Sequence, residues 1–148
     1  MYKHILLPTD GSALSAKAVK QCIRLAKSIG AKITAVNVTP EFQMMMDEGF
    51  ATLNVALTKN RFEEVTAKHS KKLLDDVKAD ARAAGVECDC MSMASGVPYE
   101  AIIKQAKKAK CDLIMMASHG RKGLSSILLG SETAKVLTHS TIPVLVVR

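Results

Sequence analysis

A chain of 148 residues, 48% apolar and 24% charged, is long enough and apolar enough to close one core without a metal or disulfide, which excludes a disordered polymer. Its most apolar stretch, Ile142 to Val147, falls far short of the roughly 18 residues of a membrane span, and the opening Met1 to Pro8 lacks a signal-peptide core and cleavage site, so a cytoplasmic address is expected. The net charge of +7 would suit anionic partners, yet aromatics are only 3% and the lysines are spread as solvated helix faces, so neither nucleic acid nor membrane is an expected partner.

The pattern along the chain alternates strand and helix. His4 to Pro8 is a continuous apolar run, as in a strand covered on both faces, and Pro8-Thr9-Asp10-Gly11-Ser12 is a turn. A helix follows, with Ser12 as N-cap, Leu14, Ala18, Cys22, Leu25 and Ile29 on one face, and Gly30 after its end. Ala31 to Val38 is a second strand. Glu41 to Asn60 is irregular and carries Met44-Met45-Met46, which reads either as a contact surface for a partner protein or the ligand pocket, or as a loosely packed loop.

Arg61 to Ala84 is an amphipathic helix with Phe62, Val65, His69, Leu73, Val77, Ala81 and Ala84 as its inner stripe. Val86 to Ala94 is a third strand. Gly96-Val97-Pro98 opens a helix striped by Tyr99, Ile102, Ile103 and Ala106. Asp112 to Ala117 is a fourth strand, Ser118 to Leu129 a loop with room for a short helix, Gly130 to His139 a helix, and Pro143 to Arg148 a fifth strand. The order βαβαβαβαβ predicts one α/β domain over residues 1–148, a five-stranded parallel sheet, doubly wound with helices on both faces. Such a sheet binds ligands at the carboxyl ends of its strands, where the winding reverses.

Pro8 to Ser12 follows the first strand and Ala117 to Gly123 the fourth, and these loops meet if those two strands flank the switch point; Gly130-Ser131 opens the last helix. Glycines let backbone approach a phosphate, and helix-start amides favour an anion, so Gly120, Gly123 and Gly130 read as parts of a phosphate cradle or as plain turn and cap glycines. The GxxxxGK[ST] and GxGxxG fingerprints are absent, which argues against a P-loop NTPase and a nicotinamide dehydrogenase. His119 in the same loop is a hydrogen-bonding spacer or a general base, and no nucleophile–base–orienter set accompanies it. His4, His69 and His139 have no metal-ligand spacing. Cys88 and Cys90 share a strand face but suit neither a redox turn nor a zinc half-site, so all four cysteines read as small hydrophobes.

Ile5-Leu6-Leu7-Pro8-Thr9-Asp10-Gly11-Ser12, Gly96-Val97-Pro98, Asp112 to Gly120, and Leu128-Leu129-Gly130-Ser131 through Val147 together resemble the universal stress protein family, essentially end to end. The resemblance implies a Rossmann-like fold of the adenine nucleotide alpha hydrolase type, with strand order 3-2-1-4-5. ATP-binding members are similar in a Gly-x-x-Gly, nine residues, Gly-Ser or Gly-Thr pattern; here Gly120, Arg121 to Leu129 and Gly130-Ser131 match it, with Ala117 in place of the first glycine. Glu132 stands where the family usually has an apolar residue. Its carboxylate suits a helix start, yet would repel a triphosphate unless it points away or holds a metal.

Carried over by position, the resemblance implies that Pro8, Thr9, Asp10, Val38, Met116 and Ala117 line the base and ribose, and that Gly120, Gly130, Ser131 and the amides of Glu132 and Thr133 hold phosphates. His119, Arg121 and Lys122 lie beside them, the last two as phosphate partners or as wet loop residues. Asp10 is the candidate for Mg²⁺ carried by ATP, or else a turn residue bonding nearby amides. The expected function is a nucleotide-dependent stress-response switch with slow hydrolysis at most. The alternative is a scaffold of the same fold without nucleotide. The last strand, Val144 to Val147, is apolar on both faces, and pairing this edge with a copy would give a homodimer, as the resemblance also implies.

Overall fold

The computed structural model describes residues 1–42, 59–120 and 129–148. Five strands, β1 (His4–Pro8), β2 (Lys32–Thr39), β3 (Cys88–Ala94), β4 (Leu113–Ala117) and β5 (Val144–Val147), form one sheet in the order β3-β2-β1-β4-β5. Every neighbouring pair is parallel. The described helices are α1 (Ala13–Ile29), α2 (Lys59–Ala83), α3 (Pro98–Lys108) and α4 (Ser131–His139). The winding runs from β1 outward to β3, returns to β4 and runs outward to β5. Right-handed crossovers therefore place α1 and α2 on one face and α3 and α4 on the other.

Strand alternation divides the core accordingly. Ile5 and Leu7 of β1, Ile33 and Ala35 of β2, and Leu113, Met115 and Ala117 of β4 pack with Ala18, Val19, Cys22 and Ile23 of α1 and Leu74, Val77 and Ala81 of α2. Leu6, Val36, Ile114 and Met116 pack on the opposite face with Ile102, Ile103 and Ala106 of α3 and Val136 of α4. Two-sided burial of β1 and β4 is why their sequences are uninterrupted apolar runs.

Helix ends follow the expected chemistry. Ser12 accepts the Ser15 amide through its side chain, and Gly30 closes α1 in the left-handed region at φ 69°, which a residue without Cβ adopts at little cost. Pro98 stands in the first turn of α3. The inner face of α2 differs from the expected one. Ser70, Leu74, Val77 and Ala81 are buried, whereas Val65 is 58% exposed and His69 is also exposed. The cause is a polar residue on the inner face: Ser70 is fully buried because its hydroxyl donates to Ser92 Oγ of β3 at 2.8 Å, so the stripe lies one residue along from the apolar count over its first half.

The amino end of the sheet is closed by Asp112, whose two carboxylate oxygens accept the Lys3 and His4 amides at 2.8 and 3.0 Å. His4 is buried, and its Nε2 pairs with Thr34 Oγ1 at 2.8 Å. All four cysteines are free, with Cys90 half-buried and the others buried. Burial pushes the thiols of Cys22 and Cys111 up to about 12 and about 11, as expected for cysteines that serve as small hydrophobes. No described helix is long and apolar enough to cross a membrane. The methionine-rich stretch and the loop carrying Arg121, Lys122 and Gly123 lie outside the described residues.

Candidate functional site

The winding reverses between β1 and β4, which pair through Ile5–Leu113 and Leu6–Ile114. The loops leaving their carboxyl ends therefore emerge side by side, and the contacts between them are close. A Cβ built on Gly120 would lie 2.8 Å from Asp10 Oδ2. One built on Gly130 would meet Ser118 O at 3.1 Å and His119 Cα at 3.2 Å. The start of α4 is thus stacked on the turn after β4, locked by Gly130 N–H donating to Ser118 O at 2.7 Å. Thr133 Oγ1, inside the first turn of α4, donates to Ala117 O at 3.0 Å and ties the helix to the strand end. Absence of a side chain at 130 is in the first instance what this protein–protein contact requires.

The turn after β1 is held as firmly. Thr9 is buried; its amide donates to Val36 O, its carbonyl accepts Asn37 Nδ2 at 2.8 Å, and its hydroxyl is 2.6 Å from Ser15 Oγ. Asp10 Oδ1 accepts the Ser12 amide at 2.9 Å, a local turn bond, while Oδ2 faces Gly120. Thr9's polar groups all serve the turn, so its contribution to a site is to fix where Pro8 and Asp10 stand.

Three helix starts differ in how their leading amides are satisfied. At α1 the Ser12 side chain caps. At α3 the N-cap residue, Val97, offers no side-chain acceptor. The Tyr99 amide there is accepted instead by Glu132 Oε2 of α4 at 2.8 Å, and Glu132 Oε1 accepts Lys135 Nζ at 3.2 Å. At α4 the N-cap is Gly130, again without a side-chain bond. The amides of Ser131, Glu132 and Thr133 are those that helix geometry leaves without intrahelical acceptors. Glu132, the acidic residue of that first turn, has its carboxylate turned to α3 and away from them. The methyl of Ala117 packs into the core on the α1 side.

His119 is half-buried. Its Nδ1 lies 3.0 Å from Ser118 Oγ, and its Nε2, although buried, has no hydrogen-bond partner among the described residues. Of the residues singled out from the sequence, Pro8, Thr9, Asp10, Ala117, His119, Gly120, Gly130, Ser131 and Thr133 gather at the carboxyl ends of β1 and β4. Val38 and Met116 lie on the α3 side of the sheet, Met116 buried and Val38 packed against that core. Arg121 lies outside the described residues. Sequence reasoning missed Asn37, Ser15 and Ser118, which pin the two turns. A buried Asn in an otherwise apolar strand was the available signal for the first.

Beyond Val38, a cleft of about 460 Å³ opens at the ends of β2 and β3, between Thr39, Phe42, Phe62, Thr66 and Met93. It shares the carboxyl side of the sheet with the β1–β4 crevice but contains none of its glycines. No group of three or more metal-ligating side chains occurs among the described residues.

A parallel sheet with these windings and a glycine-flanked crevice at its switch point defines a doubly wound α/β domain. The chain belongs to the universal stress protein family, whose model matches residues 1–148. It is 38% identical over 151 residues to universal stress protein MJ0531 of Methanocaldococcus jannaschii, covering 100% of this chain and 83% of that protein. It is 31% identical over 157 residues to universal stress protein MJ0577 of the same organism, covering 100% and 96%. The solved structure of MJ0577 matches with a TM-score of 0.83 over 99% of this chain and 96% of that one. The fold is shared with a universal stress protein in complex with cAMP (TM-score 0.68, 24% identity, 99% and 96% covered). It is also shared with one from Archaeoglobus fulgidus in complex with dAMP (TM-score 0.68, 17% identity, 99% and 98% covered).

Proposed function

We propose that this universal stress protein binds ATP, as its Mg²⁺ complex, in the crevice between the turns after β1 and β4, and serves as a nucleotide-dependent switch. The observation that carries the reading is the start of α4. Its first-turn amides have no side-chain cap, its acidic residue is bonded elsewhere, and Gly130 seats it against the turn that ends in Gly120 beside Asp10. A polyphosphate supplies the acceptors such a helix start lacks, and the helix dipole favours its charge. Two proteins of the same fold are solved with adenine nucleotides, cAMP and dAMP, which supports an adenine ligand.

Base and ribose would lie against Pro8, Val38, Met116 and Ala117, with Thr9 holding the turn beneath them, and the phosphates against Gly120, Gly130, Ser131 and the amides of Glu132 and Thr133. His119 Nε2 would lie beside them, and Arg121, next in sequence to Gly120, is a candidate phosphate partner by its charge. The hard oxygen of the Asp10 carboxylate suits Mg²⁺ shared with phosphate oxygens, where the ion would neutralise phosphate charge. Among the described residues nothing in the crevice pairs a base with a nucleophile, so the nucleotide would act as a bound ligand with slow turnover at most. The open β5 edge, with Leu145 43% exposed, is the surface through which two copies would pair.

Isothermal titration of nucleotide-stripped protein with MgATP tests the reading. Saturable binding of about one nucleotide per chain at micromolar affinity is expected. Absence of heat at two temperatures would overturn it in favour of a nucleotide-free scaffold.

A further inference from the structure

Cys88 and Cys90 stand two residues apart on β3, opposite Ile33 and Ala35 of β2, so both side chains project to the same face of the sheet. Cys88 is buried and Cys90 is half-buried against the α1–α2 core. The two thiols are near enough for each to shift the other's titration, Cys88 upward and Cys90 downward. Cys90 Sγ also donates to Leu74 O of α2 at 3.4 Å, and Cys88 Sγ contacts Asp89 O at 3.6 Å. The charged groups around the pair are Lys78 and Asp75 from α2 and Asp89 from β3, and Cys22 approaches from α1. The pair lies in mid-strand, apart from the carboxyl-end crevice.

The arrangement fits one ligand class and excludes others. Zinc takes four ligands in a structural site, and among the described residues no third His, Cys, Asp or Glu joins the pair to hold a metal. A disulfide needs Cβ atoms about 3.8 Å apart, closer than same-face neighbours along one extended strand come. What the pair can satisfy is a soft ion content with two sulfurs. We propose that Cys88 and Cys90 form a two-thiolate site for a soft monovalent metal ion, copper(I) by its chemistry.

Binding is an exchange of protons for metal. Two S–H bonds break, their protons pass to solvent, two S–Cu bonds form, and nothing is oxidised or reduced. The product carries one negative charge, which the Lys78 ammonium faces. The neighbouring Cys88 thiol, with Lys78 assisting, holds the Cys90 thiol below its ordinary value despite burial. Cys90 therefore ionises first and takes the ion from the half-exposed side, and Cys88 completes the pair from within.

The test uses the full chain, fully reduced under anaerobic conditions, titrated against the coloured copper(I)–bicinchoninate complex. The native protein should withdraw about one copper per chain, and Cys88→Ser and Cys90→Ser should each weaken uptake about tenfold or more. Cys111→Ser, altered on the opposite face of the sheet, should behave as native. Far-UV circular dichroism establishes that each variant is folded. Should Cys88→Ser fail to fold, the half-exposed Cys90→Ser decides alone. A native chain that leaves the copper on its competitor would overturn the proposal, as would undiminished uptake by folded Cys90→Ser or loss of uptake in folded Cys111→Ser.

Discussion

Glu132 is the residue whose side chain most directly separates a structural from a ligand-facing role, and its replacement can be worked through in numbers. Its Oε2 accepts the Tyr99 amide at 2.8 Å, the bond that the N-cap Val97 is unable to provide for α3. Loss of such a cap costs about 1 kcal/mol, within a range of roughly 0.5–2. The pair with Lys135, 3.2 Å long and with side chains 36% and 50% exposed, adds at most about 0.5 kcal/mol. Glu132→Ala should therefore lose about 1–1.5 kcal/mol. For a chain of this length that lowers the melting temperature by roughly 3–6 °C. Glu132→Gln keeps an acceptor for Tyr99 and should lose about half as much. Because the carboxylate faces α3, MgATP affinity should stay within about threefold of native in both variants, measured by titration beside the melts. A Glu132→Gln protein that melts as native does yet binds MgATP about tenfold more tightly would refute the argument, since the carboxylate would then have been repelling phosphate.

The two site glycines should fail in different ways. At Gly120 a new methyl meets, among the described residues, only the end of the Asp10 side chain, so Gly120→Ala should cost under about 1 kcal/mol but weaken MgATP binding about tenfold by displacing that carboxylate. At Gly130 it meets backbone of Ser118 and His119, so Gly130→Ala should cost about 1–2 kcal/mol and melt several degrees lower even without nucleotide. Equal melting temperatures for the two would contradict this. Stability should fall with acidity in two steps. Burial, with Lys32 adding, holds His4 below its ordinary 6.5, so its contribution is complete above that pH and lost as pH falls below it. Although burial opposes it, the amides of His4 and Lys3 hold Asp112 below 3.8, so a second loss begins beneath that pH. Urea midpoints across the acid range should show both steps, and His4→Gln should remove the first; a flat native profile through the His4 step would count against the assignment. Leu145→Glu should convert a dimer to monomer in sedimentation, and an unchanged mass would exclude the β5 edge as its interface.

The sheet was legible because its strands are buried on both faces. Runs such as Ile5-Leu6-Leu7 and Leu113-Ile114-Met115-Met116 admit few other placements, the alternation of elements implied a parallel sheet covered on both faces, and the strand order came from the family resemblance. The face of α2 was less legible because apolar counting is blind to a serine. Ser70 faces the sheet through one hydroxyl pair with Ser92, and the apolar Val65 reaches solvent instead. Strand and helix ends shifted by one or two residues for the ordinary reason that terminal hydrogen bonds are shared between element and turn.

The crevice was legible in its glycines and obscure in its acid. The spacing from Gly120 to Gly130-Ser131 is a one-dimensional signal, and the structure brings Gly130 against the turn that ends in Gly120 and Gly120 against Asp10. Where Glu132 points depends on where α3 begins in space, 33 residues away in the chain, and no local pattern carries that. A carboxylate that looks hostile to phosphate in sequence is, in three dimensions, the cap of a neighbouring helix. The same tether makes α3 sensitive to the start of α4, for whatever moves Ser131 to Thr133 also pulls on the Tyr99 amide. A ligand seated on the α4 start would thus reach α3, on the same face of the sheet, through one hydrogen bond, and Glu132→Ala is the change that cuts it.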